Sequence, residues 1–143
     1  MSREASKSGC AELIQAMQKL EELHIAFGEV IERKIEAMRV CDIEKLNACA
    51  RDEQDLLGKI ADQESFRRRI TDRVGRRYGM SPAKARGLTA RQLAARLDAA
   101  SGRRLIEIAG RLDALLTKIA RRNAVAGRIG GEVLRHMKLM YES

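Results

Sequence analysis

The sequence predicts an all-α protein: an antiparallel bundle of three long helices with one short connecting helix, coiled-coil-like. Three observations carry this. Aromatic residues make up 3% of the 143 residues and Trp is absent, whereas sheets draw heavily on aromatic and β-branched side chains. A single Pro is present, and Pro is the residue that breaks long helices. From Arg103 to Tyr141 the apolar residues keep a seven-residue beat: Leu105, Leu112, Ile119, Ala126, Val133 and Met140, with Ile108, Leu115 and Ile129 three positions on and Arg122 and His136 interrupting them. That spacing draws one apolar stripe along one side of a helix, which other helices must cover.

Taken in order, residues 1–8 are small and charged and are expected to fray. A first helix is predicted over 10–40, with Leu13, Met17, Leu20, Leu23, Phe27, Ile31, Ile35 and Met38 stepping by three or four. Cys41-Asp42 forms a corner, with Asp42 suited to cap the next helix. A second helix is predicted over 43–77, its apolar face made of Ile43, Leu46, Ala50, Leu57, Ile60, Phe66, Ile70 and Val74. Gly79 and Ser81-Pro82 end it. Thr89 and Gln92 have the spacing of a capping box opening a short helix over 90–99. Ser101 is the expected cap of the last helix, 103–140. Gly28, Gly58 and Gly110 fall inside helices, where the expected role of each is close helix approach. The whole chain, 1–143, reads as one domain.

Charge is unevenly spread. Residues 1–64 hold nine Lys/Arg and fourteen Asp/Glu; residues 65–143 hold nineteen and six. An acidic and a basic half lying together would neutralise part of this internally, and what remains could attract an acidic partner, nucleic acid or membrane headgroups. Cys10, Cys41 and Cys49 have no paired spacing and suit free thiols in a reducing cytoplasm. Neither a signal peptide nor a membrane span is expected.

No catalytic, cofactor or metal constellation is predicted, and the protein is not expected to be an enzyme. His24 and His136 lie far apart on or beside apolar faces, where a satisfied boundary ring is the expected role. Gly127-Arg128-Ile129-Gly130-Gly131 lacks the Gly-Lys-Ser/Thr ending of a phosphate loop and follows no strand. Leu88 to Leu97 looks like the first helix of a helix-turn-helix. Asp98 stands where Gly opens that turn, and Arg104 and Glu107 occupy positions a recognition helix must bury. The arginine clusters lack aromatic interleaving, so nucleic acid is not an expected partner.

Four features together resemble the flagellar export chaperone FlgN family. They are the aspartate corner Arg39-Val40-Cys41-Asp42-Ile43-Glu44-Lys45-Leu46, the charged run Arg51 to Leu57 leading to Phe66-Arg67-Arg68-Arg69, the segment Leu88-Thr89-Ala90-Arg91-Gln92-Leu93-Ala94, and Leu112, Leu115, Leu116 and Ile119 before Arg122-Asn123. Such proteins carry two Asn residues three apart in the last helix. Asn123 fits the second, Ala120 replaces the first, and Ala126-Gly127 stand where Leu residues are expected. The resemblance implies a non-enzymatic cytoplasmic chaperone of type III secretion that needs no cofactor. Its implied partners are the terminal helical segments of the hook–filament junction proteins FlgK and FlgL, and the export gate protein FlhA.

The residues independently suggest a binding end. Ala126, Gly127, Gly130 and Gly131 cluster with Leu134, Met137, Leu139 and Met140. Glycines lower helix stability, and Met offers an adaptable apolar surface. The expected cargo-binding residues are therefore Asn123, Ala126, Ile129, Val133, Met137 and Met140. The competing expectations are a self-associating structural coiled coil, giving a homo-oligomer, and a basic nucleic-acid-binding helical protein.

Overall fold

The computed structural model describes the backbone of residues 3–86 and 89–142 and the side chains of residues 9–85, 89–132 and 135. The elements are all helical: α1 (Arg3–Arg39), α2 (Ile43–Arg77), α3 (Pro82–Arg86), α4 (Ala90–Ala94) and α5 (Ala99–Glu142). Both α2 and α5 pack along α1, while α3 packs on α2 and α4 on α5.

Ladders of polar contacts fix the directions. Between α1 and α2, Glu12 meets Arg73, Gln63 donates to the Ala16 carbonyl at 3.2 Å, and Lys34 meets Glu53 at 2.6 Å. As residue numbers rise on α1 they fall on α2, so the two run antiparallel. Between α1 and α5, Glu21 meets Arg111, Glu32 meets Arg122, and Gly130 lies beside Met38. Numbers rise together, so α5 runs parallel to α1 in a register offset of about ninety residues.

The first corner closes as the sequence chemistry suggests, with one addition. Asp42 Oδ1 accepts from the Lys45 N–H at 3.1 Å. Ahead of it, the Asp42 N–H reaches the Ala37 carbonyl and the Cys41 N–H the Met38 carbonyl. These are the paired bonds of a helix end whose last residue is left-handed. That residue is Cys41, at φ 54°.

The connector departs from the expected boundaries. Residues 3–8 are helical, a five-residue helix α3 follows Ser81, and α4 stops at Ala94 where a run to 99 is predicted. The Thr89–Gln92 capping box is complete. After Ala94 the chain tightens, with Arg96 N–H on the Leu93 carbonyl and Leu97 N–H on that of Ala94. Asp98 Oδ2 then accepts from the Ser101 N–H at 3.2 Å. Asp98, not Ser101, is therefore the cap of α5, because a carboxylate three residues ahead of a free amide competes for the role that the hydroxyl was expected to fill.

The main core lies at this connector end. Leu13, Met17 and Leu20 of α1, Ile70 and Val74 of α2, Leu93 and Ala94 of α4, and Leu105, Ile108 and Leu112 of α5 form one buried cluster. Farther along, a smaller cluster joins only α1 and α5: Ile31 and Ile35 with Ala126, bordered by Phe27, Val125 and Ile129.

The α2 seam is not the one the apolar residues trace. Ile43, Leu57 and Phe66 are exposed. The covered seam instead runs through Leu46, Cys49, Glu53, Leu56, Ile60, Gln63, Arg67, Ile70 and Val74, in alternating steps of three and four. Three of them are polar, and each has a partner: Glu53 has Lys34, Gln63 has the Ala16 carbonyl, and Arg67 has Glu64 and Thr71.

The glycines also sort differently. A Cβ at Gly28 would sit 3.5 Å from Ile119, an ordinary contact, and a Cβ at Gly58 or Gly110 would meet nothing within 4 Å beyond its own helix backbone. Close approach therefore does not explain those two. It does explain Gly102, where a Cβ would stand 2.9 Å from the Ala94 carbonyl oxygen. Gly102→Ala must push α4 off α5 and should cost ~1–3 kcal/mol as overpacking. Gly110→Ala should instead stabilise by up to ~1 kcal/mol through helix propensity. Urea melts of the two variants, shifting in opposite directions, check both.

Candidate interaction surface

The apolar beat of α5 seats it on α1 as the sequence predicts. Leu105, Ile108, Leu112, Ile119 and Ala126 are buried, and Leu115, Arg122 and Ile129 are half-buried. Two ion pairs brace this seam. Arg111 Nε donates to Glu21 at 2.8 Å, and Arg122 forks onto both oxygens of Glu32 at 2.5 and 2.9 Å. The hydrogen-bonded guanidinium of Arg122 holds the Glu32 carboxyl below its ordinary value, and Arg67 does the same for Glu64.

Between the two braces opens a groove of about 430 Å³. Ile25, Gly28, Leu115 and Ile119 supply its apolar lining, Glu29 and Glu32 stand on the α1 lip, and Lys118 and Arg122 on the α5 lip. Ile25 is 47% exposed.

The expected cargo-binding residues separate into three groups. Ala126 and Ile129 belong to the protein's own α1–α5 core; Ala126 is 1% exposed, packed with Ile31 and Ile35. The reason is register: α1 extends far enough to cover them. Asn123 is exposed, so it does not act as a buried register-setting Asn. Val133, Met137 and Met140 lie outside the described side chains, though their backbone is part of α5.

The same register exposes a feature of the backbone. Met38, next to last in α1, lies beside Gly130, and α5 continues to Glu142. About a dozen residues, roughly 18 Å of helix, therefore run past the end of α1. At the base of this overhang the α1–α2 corner presents Val40, 60% exposed, and Ile43, 68% exposed. Sequence reading placed Val40 at a helix end and Ile43 on a buried face. The signal that could have found them is their position on either side of the Cys41-Asp42 corner, where no second helix stands opposite.

Other candidate chemistry does not converge. Cys10 and Cys49 are buried and Cys41 is exposed, all as free thiols; burial raises the pKa of Cys10. His24 Nδ1 donates to the Leu20 carbonyl at 2.8 Å; His136 lies outside the described side chains. Among the described residues no three His, Cys, Asp or Glu gather as a metal site would need, and no helix is long and apolar enough to cross a membrane. Gly127 to Gly131 is continuous helix.

These features define a class: an all-helical protein in which one helix carries two others and the last outruns its support. Comparison with known families then names the group. The chain matches the FlgN protein family over residues 9–141 and belongs to it, a family of flagellar export chaperones. No curated protein and no solved structure matches the chain.

The braced carboxylates set an acid response. With Glu32 and Glu64 held below the ordinary carboxylate value of ~4.3, the unfolded chain binds protons first as pH falls. The stability these pairs add is complete above that value and is lost as pH drops through their lower folded values. Melting temperature should therefore fall on acidification toward about pH 3. The double variant Glu32→Gln, Glu64→Gln should start lower at neutral pH and fall less. An equal fall in both proteins would refute the assignment.

Proposed function

We propose that this protein is a cytoplasmic flagellar export chaperone that binds the terminal helical segments of junction proteins of the FlgK and FlgL kind. It prevents their premature assembly and presents them to an export gate component of the FlhA kind. Family membership supports the chaperone role. The observation that carries the binding mode is the α5 overhang. Val133 and Met140 continue the seven-residue beat, with Met137 flanking it, past the point where α1 can cover it. A helix laid against that stripe would extend the α1–α5 seam, with Val40 and Ile43 adding apolar surface at its base. Ala126, in the α1–α5 core, and Ile129, packed against it, form the base of the overhang.

The continuing beat equally suits a second copy of this chain, which is the competing reading. Light scattering separates the two: a tight homo-oligomer favours self-association, and a monomer that takes up an added cargo helix favours the chaperone.

Cargo binding should persist in moderate salt and show a negative heat-capacity change, because it buries apolar surface. Val133→Asp with Met137→Asp should abolish it while circular dichroism shows an intact fold, since the charges would be desolvated only in the complex. Undiminished affinity by calorimetry would place the cargo elsewhere, and global unfolding would assign these residues to the protein's own core.

A further inference from the structure

The connector end of the molecule carries a charge that the rest of the fold does not neutralise. From residue 84 to residue 104 the sequence holds Lys84, Arg86, Arg91, Arg96, Arg103 and Arg104 against the single acid Asp98. Asp98 is already engaged, capping α5 through the Ser101 N–H. Along the long helices several bases meet acids across helix contacts, as in Arg73–Glu12, Arg33–Asp52, Arg111–Glu21 and Arg122–Glu32. Here Lys84, Arg91, Arg96, Arg103 and Arg104 are all exposed, and among the described residues none of the five joins an ion pair.

The first turns of α3, α4 and α5 contain no acidic residue, and the one carboxylate at these helix starts, Asp98, is taken up in capping α5. Lys84 stands in α3, Arg91 in α4, and Arg103 and Arg104 in the second turn of α5. All three helices begin at one end of the rod, beside the last turn of α2.

The shape at this end decides what the charge fits. The hollow beside α4, between Leu13, Thr71, Leu93 and Leu105, measures about 30 Å³, too small for a side chain of a bound peptide. Base stacking is not provided for either: the whole chain has two Phe, two Tyr and no Trp. Five exposed bases suit a broad anionic surface that supplies many phosphates at once. Arg is the base best matched to phosphate oxygens. Ile106, 45% exposed and one turn from Arg103, adds an apolar contact of the kind a headgroup layer accepts.

We propose that the α3–α4–α5 connector end docks on anionic phospholipid headgroups, holding the rod by its basic end. The opposite end, with the corner and the α5 overhang, stays clear of the surface by roughly 50 Å of helix between Ala99 and Val133. This inference is independent of the cargo reading.

Cosedimentation of the full chain with mixed phosphatidylglycerol/phosphatidylcholine vesicles, against pure phosphatidylcholine, tests it. Retention on the anionic vesicles, with release at high salt, is expected. The triple variant Arg96→Gln, Arg103→Gln, Arg104→Gln should lower the partition coefficient on the order of a hundredfold, from about fivefold per base lost near a charged membrane. Lys118→Gln, Arg121→Gln, Arg128→Gln removes equal charge from the middle of α5 and should leave retention nearly whole. If the first triple melts early in circular dichroism, Lys84→Gln with Arg91→Gln reads the same surface from α3 and α4. No retention on anionic vesicles, or equal loss from both triples, overturns the proposal. So does duplex nucleic acid held more tightly than the vesicles at the same salt and released by the first triple.

Discussion

Two faces of α1 must be covered at once, and the rest of the chain is arranged around that requirement. A helix with one apolar stripe can be satisfied by one partner. In α1 the buried positions run from Leu13 and Ile14 through Ala16, Met17, Leu20 and Leu23 to Val30, Ile31, Ile35 and Ala37, too broad a band for one neighbour. The antiparallel α2 covers one side and the parallel α5 the other. Two parallel helices cannot be joined by a tight turn, so α2 also serves as the return path, and α3 and α4 close the distance from its end to the start of α5. Of these, α4 is drawn into the core where all the long ones meet, through Leu93 and Ala94, and α3 packs on α2. The cost is that everything depends on α1: where it ends, the two-sided support ends.

How much of this could be read from the sequence depended on what occupied the seam. On α5 nearly every covered position is apolar, so the beat gave the helix, its face and its inner contacts directly. On α2 the covered stripe includes Glu53, Gln63 and Arg67. A search for apolar periodicity skips such residues and substitutes their exposed neighbours Leu57 and Phe66. The polar seam residues are tolerable only because α1 offers Lys34 and the Ala16 carbonyl at matching heights, which is information about register and not about α2 alone. The connector was legible for a related reason only in part. The Thr89–Gln92 box is a local pattern and was found. The choice between Asp98 and Ser101 as cap depends on where the preceding turn tightens, which is set by the packing of Leu93 and Ala94.

The interaction surface shows the same division. That the end of α5 is unusual was visible in its glycines and methionines. Which of its residues remain for a partner was not, because that is fixed by the length of α1 and its offset against α5. Ala126 and Ile129 look identical in kind to Val133 in the seven-residue pattern, yet the first two sit opposite Ile31 and Ile35 and the third lies past the last turn of α1. The acidic and basic halves resolve in a similar way. Cross-helix ion pairs absorb part of the charge where α1 faces a neighbour, while Lys84, Arg91, Arg96, Arg103 and Arg104 at the connector stay exposed.

The glycines of α5 gain a reason from this geometry. A Cβ at Gly130 would meet Met38 near the end of α1, whereas one at Gly127 or Gly131 would meet nothing within 4 Å beyond its own helix backbone. Helix propensity therefore drops by up to ~1 kcal/mol per glycine at the point where tertiary support also ends. Past Gly130 the backbone of α5 continues without α1 beside it. A partner helix would supply the apolar contacts that α1 supplies lower down, and part of its binding energy would be spent on ordering the segment. On the proposed cargo reading, this would keep the affinity moderate while the apolar pattern keeps the fit selective, a combination that suits the release of cargo and that a permanently paired coiled coil does not need.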